Sequence, residues 1–140
     1  MANTNSTEII AMISSSAKAA ANQLGGRVRV ATFTVPAVPT GAGDTMTLTK
    51  LPKGAKVLRG VMQFTVAQGA TATTAIGIAG TTGKYRVAAI SNATTEFVFA
   101  ETATVNMLND TTAEETVIAT NAAAVWTAAA FRGYLLYVVD

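Results

Sequence analysis

From Arg27 onward, Gly, Pro, Asn and Asp interrupt the chain at roughly 8–12-residue intervals, and the stretches between them are rich in Val, Ile, Thr and aromatic residues. Such short intervals leave little room for a helix of ordinary length, but each holds a strand of about five or six residues. Residues 27–35 (RVRVATFTV) form the first such stretch and run into Pro36. Residues 36–44 follow as a loop, with two prolines and two glycines to break any ladder. Residues 45–51 (TMTLTKL) alternate, with Met46 and Leu48 on one face and Thr45, Thr47 and Thr49 on the other. Pro52-Lys53-Gly54 is a turn. Residues 56–66 (KVLRGVMQFTV) are expected to place Leu58, Met62, Phe64 and Val66 on one face, and Arg59, Gln63 and Thr65 on the other.

The pattern continues through residues 74–79, with Ile76 and Ile78, to a Gly-rich break at 80–83 and a strand at 84–90. Residues 96–100 set Phe97 and Phe99 on one face, residues 104–108 are a weaker strand, and 115–120 (ETVIAT) a firmer one. The last stretch, 131–139 (FRGYLLYVV), is apolar on both faces, so it belongs in the middle of a sheet or against another subunit. The fold class is therefore all-β: an antiparallel β-sandwich or jelly roll of about eight strands, with a closed barrel as the alternative.

The first 26 residues differ. Ser6 or Thr7 can cap a helix and Glu8 suits its first turn. Ile9, Ile10, Ile13, Ala17 and Leu24 recur at helical spacing, and Gly25-Gly26 supplies a stop. The expected organisation is an arm at 1–26, helical or extended, followed by a sandwich domain at 27–140. The arm either packs on its own domain or orders only against a neighbour, since a helix this short is marginal alone in water.

Composition narrows the function. There is no Cys and no His, so thiol nucleophiles, thiolate zinc sites and imidazole acid–base chemistry are excluded. The carboxylates Asp44, Glu96, Glu101, Asp110, Glu114 and Glu115 show no catalytic spacing, and no Ca²⁺ loop surrounds them. The expectation is a non-enzyme with no cofactor and no metal. No apolar run approaches the ~20 residues of a membrane span, and the first residues lack the charge and hydrophobicity of a secretory leader. Charged residues are only 13% of the chain against a usual ~25%, while 50% are hydrophobic. A surface so sparsely charged points to partners that cover it, the alternative being a Thr-rich β protein wetted by its hydroxyls.

The charges are also unevenly placed. Up to Arg59 there are seven bases and two acids; after it, three bases and six acids. Net charge is only +2 and no aromatic lies among the lysines, so nucleic acid is not the expected partner. Contact with a protein neighbour is. The candidate partner-binding residues are Ile9, Ile10 and Ile13 in the arm, and the bases Arg27, Arg29, Lys50, Lys53, Lys56 and Arg59.

The run Leu51-Pro52-Lys53-Gly54-Ala55-Lys56-Val57, the Ile-x-Ile strand at 74–79, the turn Gly80-Thr81-Thr82-Gly83-Lys84-Tyr85 and the apolar strand at 133–139 resemble the head decoration (capsid cement) proteins of tailed bacteriophages. The resemblance covers about residues 45–85 and the last strand. It implies a jelly-roll or sandwich domain on the capsid surface of a virion, made in the bacterial host cytoplasm. It also implies the major capsid protein and the chain's own copies as partners, a homotrimer being favoured, with neither nucleic acid nor membrane. A tail, neck or fibre component, or a glycan-binding adsorption module, are the alternatives.

Overall fold

The computed structural model describes residues 27–35, 41–66, 68–91, 96–100, 111–123 and 131–139. The expected arm at 1–26, the weak strand at 104–108 and Trp126 lie outside these residues. Within them are eight strands: β1 (Val28–Val35), β2 (Thr45–Leu51), β3 (Lys56–Phe64), β4 (Thr73–Ile78), β5 (Thr81–Ile90), β6 (Phe97–Phe99), β7 (Glu115–Asn121) and β8 (Phe131–Val138).

The pairing follows one rule. β1 pairs with β8, β2 with β7, β3 with β6 and β4 with β5, all antiparallel. The chain is one long ribbon doubled back on itself, with its tip at the Ala79-Gly80 turn, where Gly80 takes a φ of 84°. Winding the ribbon adds the β3–β8 and β4–β7 ladders. The result is two four-stranded sheets, β1-β8-β3-β6 and β2-β7-β4-β5, which face each other as a sandwich rather than closing into a barrel. This is an eight-stranded jelly roll. β8 is an interior strand, as its two apolar faces require.

The sheets close over one apolar core in which Leu51, Met62, Phe99, Ile76, Val117 and Leu135 are fully buried. Phe64 and Phe131 sit directly opposite on β3 and β8, with ring centroids 5.3 Å apart at 60°, a favourable tilted contact. Gly60 is required beneath the Phe99 ring: a Cβ there would lie 2.1 Å from the ring carbons.

Two bulges revise the facing expected from simple alternation. In β3 the register shifts between Val57 and Arg59, so Val57 enters the core with Gly60, Met62 and Phe64, while Leu58 is only half-buried. The expected strand also ends at Phe64, and Val66 is 49% exposed. In β2 a shift between Thr47 and Thr49 lets Leu51 join Met46 and Leu48 inside. One extra residue flips the parity of everything beyond it. The break expected at 80–83 is also tighter, since β5 already begins at Thr81.

The Leu51–Val57 run is explained by the fold. Gly54 adopts a φ of 81°, and the Ala55 amide donates to the Pro52 carbonyl at 3.3 Å. Thr111 locks the turn from outside: its hydroxyl donates to the Pro52 carbonyl at 2.6 Å and its amide to the Ala55 carbonyl at 3.0 Å. The Gly54 amide donates to the Thr111 carbonyl at 2.8 Å. Only Lys53 and Pro52 are exposed there.

Candidate interaction surface

β5 is longer than the strand it pairs with. Ile76 is opposite Arg86 and Ile78 opposite Thr81, so residues 82–85 form an outlying bulge. That bulge carries Lys84 and Tyr85 onto Glu115 of β7. The Lys84 ammonium pairs with Oε1 of Glu115, and the Tyr85 hydroxyl donates to Oε2 at 2.6 Å. Tyr85 is 1% exposed and Glu115 9%. Burial first, then the hydrogen bond and charge of Glu115, hold the Tyr85 hydroxyl's pKa well above its ordinary value. The cluster is a structural clasp: it has a paired carboxylate and a locked phenol, and no nucleophile. Among the described residues no group of three or more acidic side chains could hold a metal, and no helix is long and apolar enough to cross a membrane.

What the fold offers a partner is the outer face of the β1-β8-β3-β6 sheet. Register and alternation place Val28, Val138 and Lys56 in one row, and Val30, Leu136 and Arg59 in the next. Thr32, Tyr134, Val61 and Val98 follow. Val28 and Val30 are each 58% exposed and Tyr134 37%. At the far end lies a shallow open groove of about 370 Å³, bordered by Thr34, Gln63, Glu96, Arg132 and Tyr134. The face therefore sets exposed valines beside Lys56 and Arg59 at one end, Tyr134 at its centre and charges of both signs at the far end, an arrangement suited to protein contact.

The structure separates the bases singled out from sequence. Arg27 and Arg29, both exposed, enter β1 at the end where Lys56 and Arg59 lie on β3, so these four share one end of one sheet. Lys50 stands on β2 of the other sheet, 3.5 Å from Glu114 in an exposed ion pair. Lys53 is on the intervening turn. Ile9, Ile10 and Ile13 lie outside the described residues.

The exposed valines had a signal that the sequence reading missed. In β1 the apolar positions switch from 28 and 30 to 33 and 35, yet the β1–β8 register is continuous. With no bulge to absorb the switch, one pair must face outward, and Phe33 and Val35 take the core.

No protein-family model matches the sequence, and no curated protein matches it. The fold is similar to chains in three solved phage structures. One is in the capsid of Ralstonia phage GP4, with 19% identity, a TM-score of 0.68, and coverage of 82% of this chain and 86% of that one. One is in the capsid asymmetric unit of cyanophage Pam1, with 23% identity, a TM-score of 0.62, and coverage of 83% and 87%. One is in the acid-stable capsid of Helicobacter pylori bacteriophage KHP30, with 19% identity, a TM-score of 0.55, and coverage of 80% and 87%. At these identities the likeness establishes a shared fold.

Proposed function

We propose that this chain is a structural virion protein that binds the outer surface of a tailed-phage capsid as a decoration, or cement, protein. The observation that carries this reading is the match of about four-fifths of the chain to chains of three phage capsids. The docking partner proposed is the major capsid protein, and the docking surface the outer face of the β1-β8-β3-β6 sheet. Its exposed valines supply apolar contact, and its basic end suits an acidic patch on the shell. The proposed oligomer is a trimer, as the sequence resemblance implies, assembled on the virion after synthesis in the bacterial host cytoplasm.

A cement protein adds lateral contacts to a shell, so it needs a stiff body and a wide adhesive face rather than a cleft. A sandwich with interlocked ladders supplies the first, and the face above the second. The test is to add the purified protein to capsids stripped of accessory proteins, then image the particles and count copies. Regular occupancy of the shell is expected. Failure to bind, or a position confined to tail or neck, would overturn the decoration role.

A further inference from the structure

The open outer face of the β1-β8-β3-β6 sheet begins where the chain enters that sheet. Residues 1–26 precede Arg27, and β1 starts at Val28, in the first exposed apolar row. Val28 and Val30 are each more than half exposed. The bases Arg27, Arg29, Lys56 and Arg59 share this end of the sheet. The segment leading into β1 is therefore tethered within a few residues of the open valines.

That segment matches the face in length, apolarity and charge. As a helix, residues 8–24 measure about 24 Å. The eight residues of β1 measure about 23 Å. β1, β8 and β3 together are about 10 Å wide, the width of one helix. Ile9, Ile10, Ile13, Ala17 and Leu24 fall on one side at helical spacing. Glu8 and Lys18, the only charged side chains before Arg27, fall on the other side. Gly25-Gly26 permits the reversal that lays such a helix antiparallel to β1, through a connection of ordinary length. The reversal brings the helix C-terminus, with its unsatisfied carbonyls and partial negative charge, to the four bases.

We propose that in the free protein residues 8–24 form a helix lying antiparallel to β1 on this face of their own chain. Leu24 then sits over the Val28 row, Ala17 beside Thr32, and Ile13 between Thr32 and Thr34. The tether selects the chain's own arm as occupant, because an attached segment meets the face at a roughly millimolar effective concentration that a dilute second copy does not reach. The contact itself is marginal. Small alanines separate the larger side chains of the stripe, and a helix this short is unstable alone in water. A weak, tethered occupant shields the valines until a stronger one displaces it. In the function proposed above that stronger occupant is the shell; this consequence rests on that reading, whereas the contact in the free chain does not.

With no native cysteine, a pair of introduced cysteines in the full chain reports one separation. Thr32 is exposed on the face, and Ala17 and Ser15 fall on opposite sides of the arm at helical spacing. Treated with a short bismaleimide, Ala17→Cys with Thr32→Cys is expected to form an intrachain link about fivefold or more faster than Ser15→Cys with Thr32→Cys, whose tether is nearly the same length. Adding Ile9→Asp and Ile13→Asp to the first pair should remove that excess, with the cooperative thermal unfolding transition retained. Equal rates for the two pairs, or an undiminished rate in the aspartate variant, overturns the proposal. A two-chain product that outpaces the intrachain link in dilute protein places the arm on a second copy and overturns it too. Capsid binding is scored on protein without introduced cysteines, so failure of the decoration reading is distinguishable from failure of this one.

Discussion

The outer faces of the two sheets solve the same problem differently. On the β2-β7-β4-β5 sheet, Ala75 is 4% exposed, Ile118 8% and Thr120 8%. Gly77 lies beneath the backbone of β5, where a Cβ would meet the Thr81 carbonyl oxygen at 2.2 Å. On the β1-β8-β3-β6 sheet the corresponding face keeps Val28 and Val30 more than half exposed. At Gly77 the second sheet is covered by the start of the β5 excursion. The other leaves Val28 and Val30 open, and the docking side proposed above rests on that difference.

The clasp that holds the β5 excursion should be the most sensitive point. Glu115→Gln leaves the Lys84 ammonium partly buried without its partner, and a loss of about 3 kcal/mol in chemical denaturation is expected. Tyr85 gives the same clasp a pH signature. Its raised pKa means the folded state keeps the phenol proton that the unfolded chain releases near pH 10. The contribution is therefore complete below pH 10 and falls away as pH rises above it. Tyr85→Phe should flatten the alkaline limb of a stability–pH profile; an unchanged limb would mean the phenol is not held as described.

Gly77→Ala is the next test. Its methyl group must displace β5 backbone rather than a flexible side chain, at a cost of about 2–3 kcal/mol in the same measurement. If the variant is as stable as the parent, the second sheet is not covered as tightly as its geometry indicates. The smallest effect on stability should come from the open sheet. Val30→Glu lies on a solvent-facing row and should change stability by no more than about 0.5 kcal/mol. It should nevertheless weaken capsid attachment if that face docks, so unchanged attachment would move the contact elsewhere.

Much of this was readable in the chain. The strand at 45–51 was placed to the residue because its Thr/apolar alternation is a local signal, and Phe97 and Phe99, expected on one face, share the buried one. Val57 and Leu58 were not legible in this way. A bulge depends on which strand lies alongside, and β8, the strand that sets the register of β3, meets Val57 through Tyr137, far along the chain. The candidate surface was half visible: the basic residues at 27–29 and 56–59 were singled out, but only the register of β1 and β3 on β8 brings them to one end.

Turn chemistry, β-branching and alternation act between neighbours a few residues apart, so the sequence by itself determined which of the described stretches are strands and that the protein is all-β. Sheet order, the bulges, the buried Lys84–Tyr85–Glu115 clasp and the exposure of Val28 and Val30 arise from pairing between distant segments. Those pairings are set by the closure of a common core and the winding of the ribbon, which no local preference specifies, so only the tertiary structure decided them.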